Sequence, residues 1–349
     1  MENTIFSFRQ TGQIFRMIND DTVVTLVSHT HPDGDAIGST TAFAQWLSYT
    51  CHDAAVVLPD AVPQSLSFLD TGFTDLLTYD RDRSAVESRL ARTDLLICMD
   101  FNAFSRAGDL CGILCGMTCP KILIDHHLNP DRDSFDVVIS KTDISSTSEL
   151  TFWILANAPG MLPDLGNMPH GVCEALLAGM TTDTNNFANS VYPSTFAMAS
   201  KLLALGVDRD GVLSRIYNMY RENRLRLMGE MLTGMKILPH GVACMILDTD
   251  TMEKYDFRDG ESEGFVNMPL AIADVRMSIF LKADRDYWRV SVRSKAGTSA
   301  NLCAKTYFNG GGHEQAAGGK IFYSEAGDGT VQSALRFIEK ATDEFFSRI

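Results

Sequence analysis

The sequence predicts an α/β protein of two domains: an N-terminal parallel sheet with flanking helices, then a smaller C-terminal α/β domain. Three observations predict it. Short apolar, β-branched runs alternate with helical stretches through the first half, the pattern of a parallel sheet covered on both faces. The texture changes after residue 240, where strand-like runs lead into a glycine-rich segment and a closing helix. The chain, at 349 residues, is long enough for two cores.

TVVTLVSH (22–29) is a β-branched run that stops at the polar PDGD turn, so it reads as a buried parallel strand. IGSTTAFAQWLSYT (37–50) has helical spacing, with Ile37, Phe43, Ala44 and Leu47 on one side. AAVVLP (54–59), DLLICMD (94–100), KILIDHH (121–127) and DVVIS (136–140) read as further strands. Helices are expected over 145–157, 171–181 and 194–206, and a charged connecting helix over 212–236. GVACMILD (241–248), RMSIFLKA (276–283) and YWRVSVRS (287–294) read as strands, SANLCAKTYF (299–308) and VQSALRFIEKATDEFF (331–346) as helices. The expected boundaries are 1–211 for the first domain, 212–239 for the linker and 240–349 for the second.

Hydrophobic content of 45% with 21% charged residues is ordinary for a globular chain. The formal net charge of −14 argues against a binder of long duplex nucleic acid, which rewards basic surfaces. A short anionic substrate in a local positive pocket stays open. The N-terminal stretch MENTIFSFRQTGQIF has no apolar core of signal-peptide length, and no run reaches membrane-spanning length. A cytoplasmic protein without membrane contact is therefore expected. The eight cysteines are scattered, which suggests reduced thiols. Cys111, Cys115 and Cys119 recur every four residues, which is not a usual zinc spacing, and read as structural thiols.

Ligand-type groups of open parallel sheets gather at the carboxyl ends of strands. His29, Asp33 and Asp35 follow the first strand, Asp100 ends DLLICMD, Asp125, His126 and His127 end KILIDHH, and Asp183 follows an apolar helix. Taken singly, each has a plainer explanation: Asp33-Gly34 is a good turn signal, and a strand-end aspartate is usually a turn former or helix cap. Four such clusters at predicted element ends are harder to explain that way. His29, Asp33, Asp35, Asp100, His126 and Asp183 make a carboxylate-rich donor set that suits manganese or magnesium, with zinc or cobalt as substitutes. One aspartate bridging two ions would hold them roughly 3.5–4 Å apart, as in two-metal phosphoryl-transfer sites.

HTHPDGDAIGS resembles the first motif of the DHH phosphoesterases, and IDHH at 124–127 resembles the motif that names them. CMDFNAFSRAG and TTDTNNF resemble the second and fourth motifs. VRSKAGTSANLCAKTYFNGGGHEQAAGG resembles the DHH-associated C-terminal domain, whose mark is Gly-Gly-His-x-x-Ala-Ala-Gly. The resemblance covers nearly the whole chain and looks most like the oligoribonuclease and 3'-phosphoadenosine-5'-phosphate phosphatase (nanoRNase) branch, often labelled exopolyphosphatase-related. It implies that His29 and Asp33 hold one metal ion, that Asp35, His126 and Asp183 hold the other, and that Asp100 bridges. His127 would contact the scissile phosphate. Asn185 stands where the family commonly has Gly, and an asparagine tolerates the left-handed turn. His31 is an extra imidazole, read as facing solvent or a ligand's neighbour.

In the second domain, Gly310, Gly311 and Gly312 let the backbone approach an anion, and His313 adds a directional donor. Arg293 can grip a phosphate bidentately, with Lys295 nearby. Arg106 of FSRAG is expected to reach the same substrate from the first domain, across an active-site cleft between the two. EQAAGG would open a short helix that adds positive partial charge. Alone, a glycine run is more often a flexible turn.

The expected function is metal-dependent hydrolysis of short oligoribonucleotides and of 3'-phosphoadenosine-5'-phosphate by two-metal activation of water. The alternatives are a cyclic or linear dinucleotide phosphodiesterase, a polyphosphatase or pyrophosphatase, an inactive nucleotide-binding sensor, and a structural or redox protein built on its cysteines. The expected partners are short RNA or phosphorylated nucleotides, and a homodimer is compatible with the reading.

Overall fold

The apolar runs of the first half become strands whose side chains point alternately to two covered faces. The structure, a computed structural model, describes residues 8–70, 74–159, 165–218 and 220–348; residues 1–7, read above for a signal peptide, lie outside these. The chain divides into two compact units, Met1–Met219 and Tyr220–Ile349.

Among the described residues, the first unit holds β1 (Val24–Val27), β2 (Ala54–Leu58), β3 (Asp75–Thr78), β4 (Leu95–Met99), β5 (Lys121–Asp125) and β6 (Val137–Ser140). They pair in parallel in the order β3-β2-β1-β4-β5-β6. Leu26 lies opposite Val56 on one side and Ile97 on the other, which sets the register. The helices are α1 (Phe8–Arg16), α2 (Gly34–Tyr49), α3 (Arg83–Ala91), α4 (Cys111–Gly116), α5 (Thr147–Ala156), α6 (His170–Asp183), α7 (Pro193–Ala204) and α8 (Arg209–Tyr217). On one sheet face Leu26, Val56 and Ile97 pack with Phe43 of α2, Leu150 of α5 and Leu176 of α6. On the other, Val27, Val57 and Leu96 pack with Val86 of α3 and Leu114 of α4. Each fully buried aliphatic side chain contributes about 1.5–3 kcal/mol.

Strand order reverses between β1 and β4, so a crevice is expected beyond their carboxyl ends. Helix α2 leaves β1 there and is buried along Gly34–Leu47. Its closeness to α6 depends on glycine. A Cβ at Gly38 would stand 2.6 Å from Ala175 O and 2.9 Å from Gly179 N.

The second unit has a mixed sheet of β7 (Lys236–Leu238), β8 (Val242–Leu247), β9 (Met277–Ala283), β10 (Tyr287–Ser294), β11 (Gly311–Gly312) and β12 (Ala316–Phe322). Their order is β11-β12-β10-β9-β8-β7, with only β8 and β9 parallel. Its helices are α9 (Glu222–Gly234), α10 (Thr249–Lys254), α11 (Ala300–Tyr307), α12 (Tyr323–Ala326) and α13 (Val331–Ser347). Trp288, Val290 and Val292 of β10 bury against Cys303 of α11 and Ile338 of α13. Leu227 and Met231 of α9 pack on Met245 and Leu247 of β8.

Two expectations need correction. The stretch 212–236 is two helices, because Val212 and Ile216 bury in the first unit's core and Leu227 and Met231 in the second's. EQAAGG opens no helix; it runs into β12, whose backbone pairs with β10 from Arg293↔Ala316 onward. The sequence shows no reading for β3, α1, α3 and α4 in the first unit, or for β7, α10, β11, β12 and α12 in the second. All eight cysteines carry free thiols, and no helix among the described residues is long and apolar enough to cross a membrane.

Candidate metal centre

The ends of β1, β4 and β5 lie side by side, and each sends polar groups to one place. After β1, Asp33 caps α2: its Oδ1 accepts from the amides of Asp35 (3.0 Å) and Ala36 (3.1 Å). Asp35 follows in the first turn of α2. Asp100 ends β4 in the left-handed region at φ 63°, a conformation aspartate tolerates better than most residues. Its amide still bonds Ile124 O of β5 at 3.1 Å. Asp183 is the last residue of α6, brought in by the glycine-mediated contact with α2.

The six expected ligands fall into two triads: His29, Asp33 and Asp100, and Asp35, His126 and Asp183, with the ligand atoms of each triad within 4.8 Å of one another. Asp100 stands between them. Its Oδ2 lies 3.5 Å from His29 Nε2, and its Oδ1 3.6 Å from His126 Nε2. His126 Nε2 is also 3.6 Å from Asp183 Oδ2.

The electrostatics describe a place short of positive charge. Burial, and then the charges of Asp35 and Asp33, hold Asp100 well above the usual carboxylate range. Burial also lifts Asp183, against His126 and with Asp35 and Asp33, to about 7. On His126 burial opposes charge, but Asp183, Asp100 and Asp35 outweigh it and raise the imidazole to about 9. Asp125 Oδ2 is buried with no hydrogen-bond partner. Hard oxygen donors, two imidazoles and crowded carboxylates fit divalent cations, which relieve that repulsion.

His127 Nδ1 donates to Asp125 Oδ1 at 2.7 Å, and that nitrogen is 3.8 Å from Asp100 Oδ1. Burial holds the His127 pKa below its ordinary value, although Asp125 pulls the other way; the positive charge of Arg106 adds to the lowering. Arg106 O also accepts from Thr30 N at 2.9 Å, tying the second motif to the first. His31 is exposed beside Asp60, which accepts its amide hydrogen at 2.6 Å. Asn185 adopts φ 48°.

In the second unit, Arg293 donates to Val292 O (3.0 Å) and Ala317 O (3.4 Å). The glycines next to His313 meet a demand internal to the sheet. A Cβ at Gly310 would stand 1.9 Å from Gly318 O, and one at Gly312, where φ is +152°, 2.5 Å from Ala316 O. Gly311 has only ordinary contacts. His313 N donates to Ala316 O at 2.7 Å and closes the turn.

Sequence reasoning assigned no role to Asp125, which orients His127, or to Thr147 and Ser148 of α5. The amides of Thr147 and Ser148 donate to Asp35 Oδ2 (2.7 Å) and Oδ1 (2.8 Å). The available signal was Ser146-x-x-Glu149, a helix-start pattern that went unread.

This fold and donor arrangement define a phosphoester hydrolase of the DHH family, and the chain belongs to that family. Residues 23–180 match the DHH family, N-terminal domain, and residues 241–343 match the DHHA1 domain. The chain is 26% identical over 325 residues to the bifunctional oligoribonuclease and PAP phosphatase NrnA of Bacillus subtilis (strain 168), covering 90% of this chain and 95% of that one. It is 27% identical to the NrnA of Thermus thermophilus, over 85% of this chain and 84% of the relative. A crystal structure of an exopolyphosphatase-related protein from Bacteroides fragilis superposes with a TM-score of 0.89 at 35% identity, over 97% of each chain.

Proposed function

We propose that this chain hydrolyses short oligoribonucleotides to mononucleotides and dephosphorylates 3'-phosphoadenosine-5'-phosphate, using two divalent cations, with manganese the best fit to the donors. The observation that carries this reading is Asp100, whose two oxygens face different triads. His29 and Asp33 would hold one ion and Asp35, His126 and Asp183 the other, with Asp100 between. The names of the Bacillus subtilis and Thermus thermophilus relatives supply the substrate classes.

When bound, the ions would neutralise phosphate oxygens and lower the pKa of water toward neutrality. The protein's own residues do the rest. Asp125 accepts the Nδ1–H hydrogen bond of His127 and so sets the tautomer in which Nε2 carries the lone pair. An anionic phosphate beside Nε2 would raise that imidazole's pKa, so that it takes a proton from solvent water and passes it to the leaving ribose oxygen. Arg106 adds fixed positive charge near His127. Arg293, His313 and the backbone of Gly310, Gly311 and Gly312 are the proposed substrate-binding groups of the second unit.

The test is a substrate panel with added Mn2+: a diribonucleotide, 3'-phosphoadenosine-5'-phosphate, a cyclic dinucleotide, pyrophosphate and a polyphosphate, the last because of the Bacteroides fragilis relative's name. We expect turnover of the first two, loss of it with chelator, and a fall of at least about 10³-fold in Asp100→Ala. Near-normal rates in that variant, or preference for pyrophosphate, would remove the reading.

A further inference from the structure

Ser145, Ser146, Thr147, Ser148 and Glu149 are five consecutive polar residues, each 0% exposed. Such a run is costly to bury unless its groups find partners. Their bonds go two ways. Ser146 Oγ accepts from Glu149 N at 2.9 Å, and the Glu149 carboxyl takes Ser145 N at 3.1 Å, the Ser145 hydroxyl and Thr195 Oγ1 at 2.7 Å. Those contacts lock the start of α5 to the preceding loop and to α7. Thr147 and Ser148 face the cluster. Their amides take both oxygens of Asp35, and Thr147 Oγ1 donates to Asp100 Oδ1 at 3.0 Å.

That last oxygen is the one facing His126. One helix start thus holds a carboxylate of the second triad and the shared carboxylate in fixed rotation about their side-chain bonds. Burial raises the Asp35 carboxyl, and the Ser148 amide at the α5 N-terminus works against that rise. A carboxylate oxygen that accepts one hydrogen bond keeps a second lone pair for a cation. We propose that Thr147 and Ser148 are positioning residues, which orient Asp35 and Asp100 so that their remaining lone pairs converge on the cations. The inference rests on the metal-pair reading above.

Thr147→Val separates this role from a structural one, because it removes the hydroxyl yet leaves the amide, the side-chain shape and the Ser146 cap. Titrating the metal-free full chain with Mn2+ in a calorimeter, we expect affinity to fall 10–100-fold in Thr147→Val, as for other residues that orient ligands, and to return in Thr147→Ser. The melting temperature of the metal-free chain should stay at the wild-type value. Thr147→Pro also deletes the amide to Asp35 at a helix position where proline is tolerated, and should bind still more weakly. If Thr147→Val melts early, Thr147→Ala against Thr147→Ser decides: weaker binding in Ala alone supports the role, and equal binding overturns it. Wild-type Mn2+ affinity in Thr147→Val overturns the positioning role and leaves the proposed function standing. Wild-type chain that binds Mn2+ but hydrolyses none of the panel overturns the function, while the titration still decides the positioning. Wild-type chain that binds no Mn2+ overturns both.

Discussion

Asp33 serves two ends. Oδ1 caps α2 through the amides of Asp35 and Ala36, and the same residue stands in the His29 triad. Capping and ligation are therefore separable by substitution. Asparagine caps a helix about as well as aspartate but carries no charge. Asp33→Asn should keep the unfolding free energy in urea within about 0.5 kcal/mol of wild type and lose most binding at one metal position. Asp33→Ala should do both kinds of damage, with a further loss of about 1 kcal/mol. If Asp33→Asn binds Mn2+ with unchanged stoichiometry and affinity, Asp33 is a cap alone. The ligand-type residues at strand ends were legible because polar groups there stand out against apolar runs. The roles of Asp125, Thr147 and Ser148 were not, because an aspartate beside two histidines and a Ser/Thr helix start carry no signal of what they touch.

Helices α2 and α6 carry Asp35 and Asp183, and their close packing brings the two residues into one triad. Gly38 is the point of approach, and the atoms its Cβ would meet are backbone atoms that cannot rotate away. Gly38→Ala should cost about 1–3 kcal/mol by overpacking, measured by urea unfolding, even though alanine favours helix. A neutral or stabilising result would mean that α6 yields easily. The helical periodicity of α2 was visible in Ile37, Phe43, Ala44 and Leu47, but its burial on nearly every side was not, since that depends on α5 and α6 arriving from elsewhere. β3 is a half-exposed strand at the sheet edge, and α3 buries only Val86, Arg89 and Leu90, so neither shows a clear apolar period. The break between α8 and α9 has no proline or glycine to mark it; it follows from two cores competing for one polar, helix-favouring stretch.

At the scale of the whole chain, each unit has its own cores, and all six expected ligands lie in Met1–Met219. Metal should therefore raise the unfolding transition of the first unit and leave that of the second where it is. The pH dependence follows from the raised pKa values. Asp183 ionises near 7 in the folded chain against 3.8 for the ordinary group, so the folded chain holds that proton more tightly than the unfolded chain does. Its contribution to stability is whole below 3.8 and is lost as pH rises through about 7. His126 behaves alike: its contribution is present below 6.5 and lost as pH rises through about 9. The metal-free first unit should thus lose stability across this range. A cation must displace these protons, so Mn2+ should restore less at about pH 5 than at about pH 8. Scanning fluorimetry of the full chain at the two pH values, with and without Mn2+, reads this directly. A metal-induced rise that is larger at the lower pH, or shared equally by both transitions, would contradict a carboxylate-crowded centre confined to the first unit.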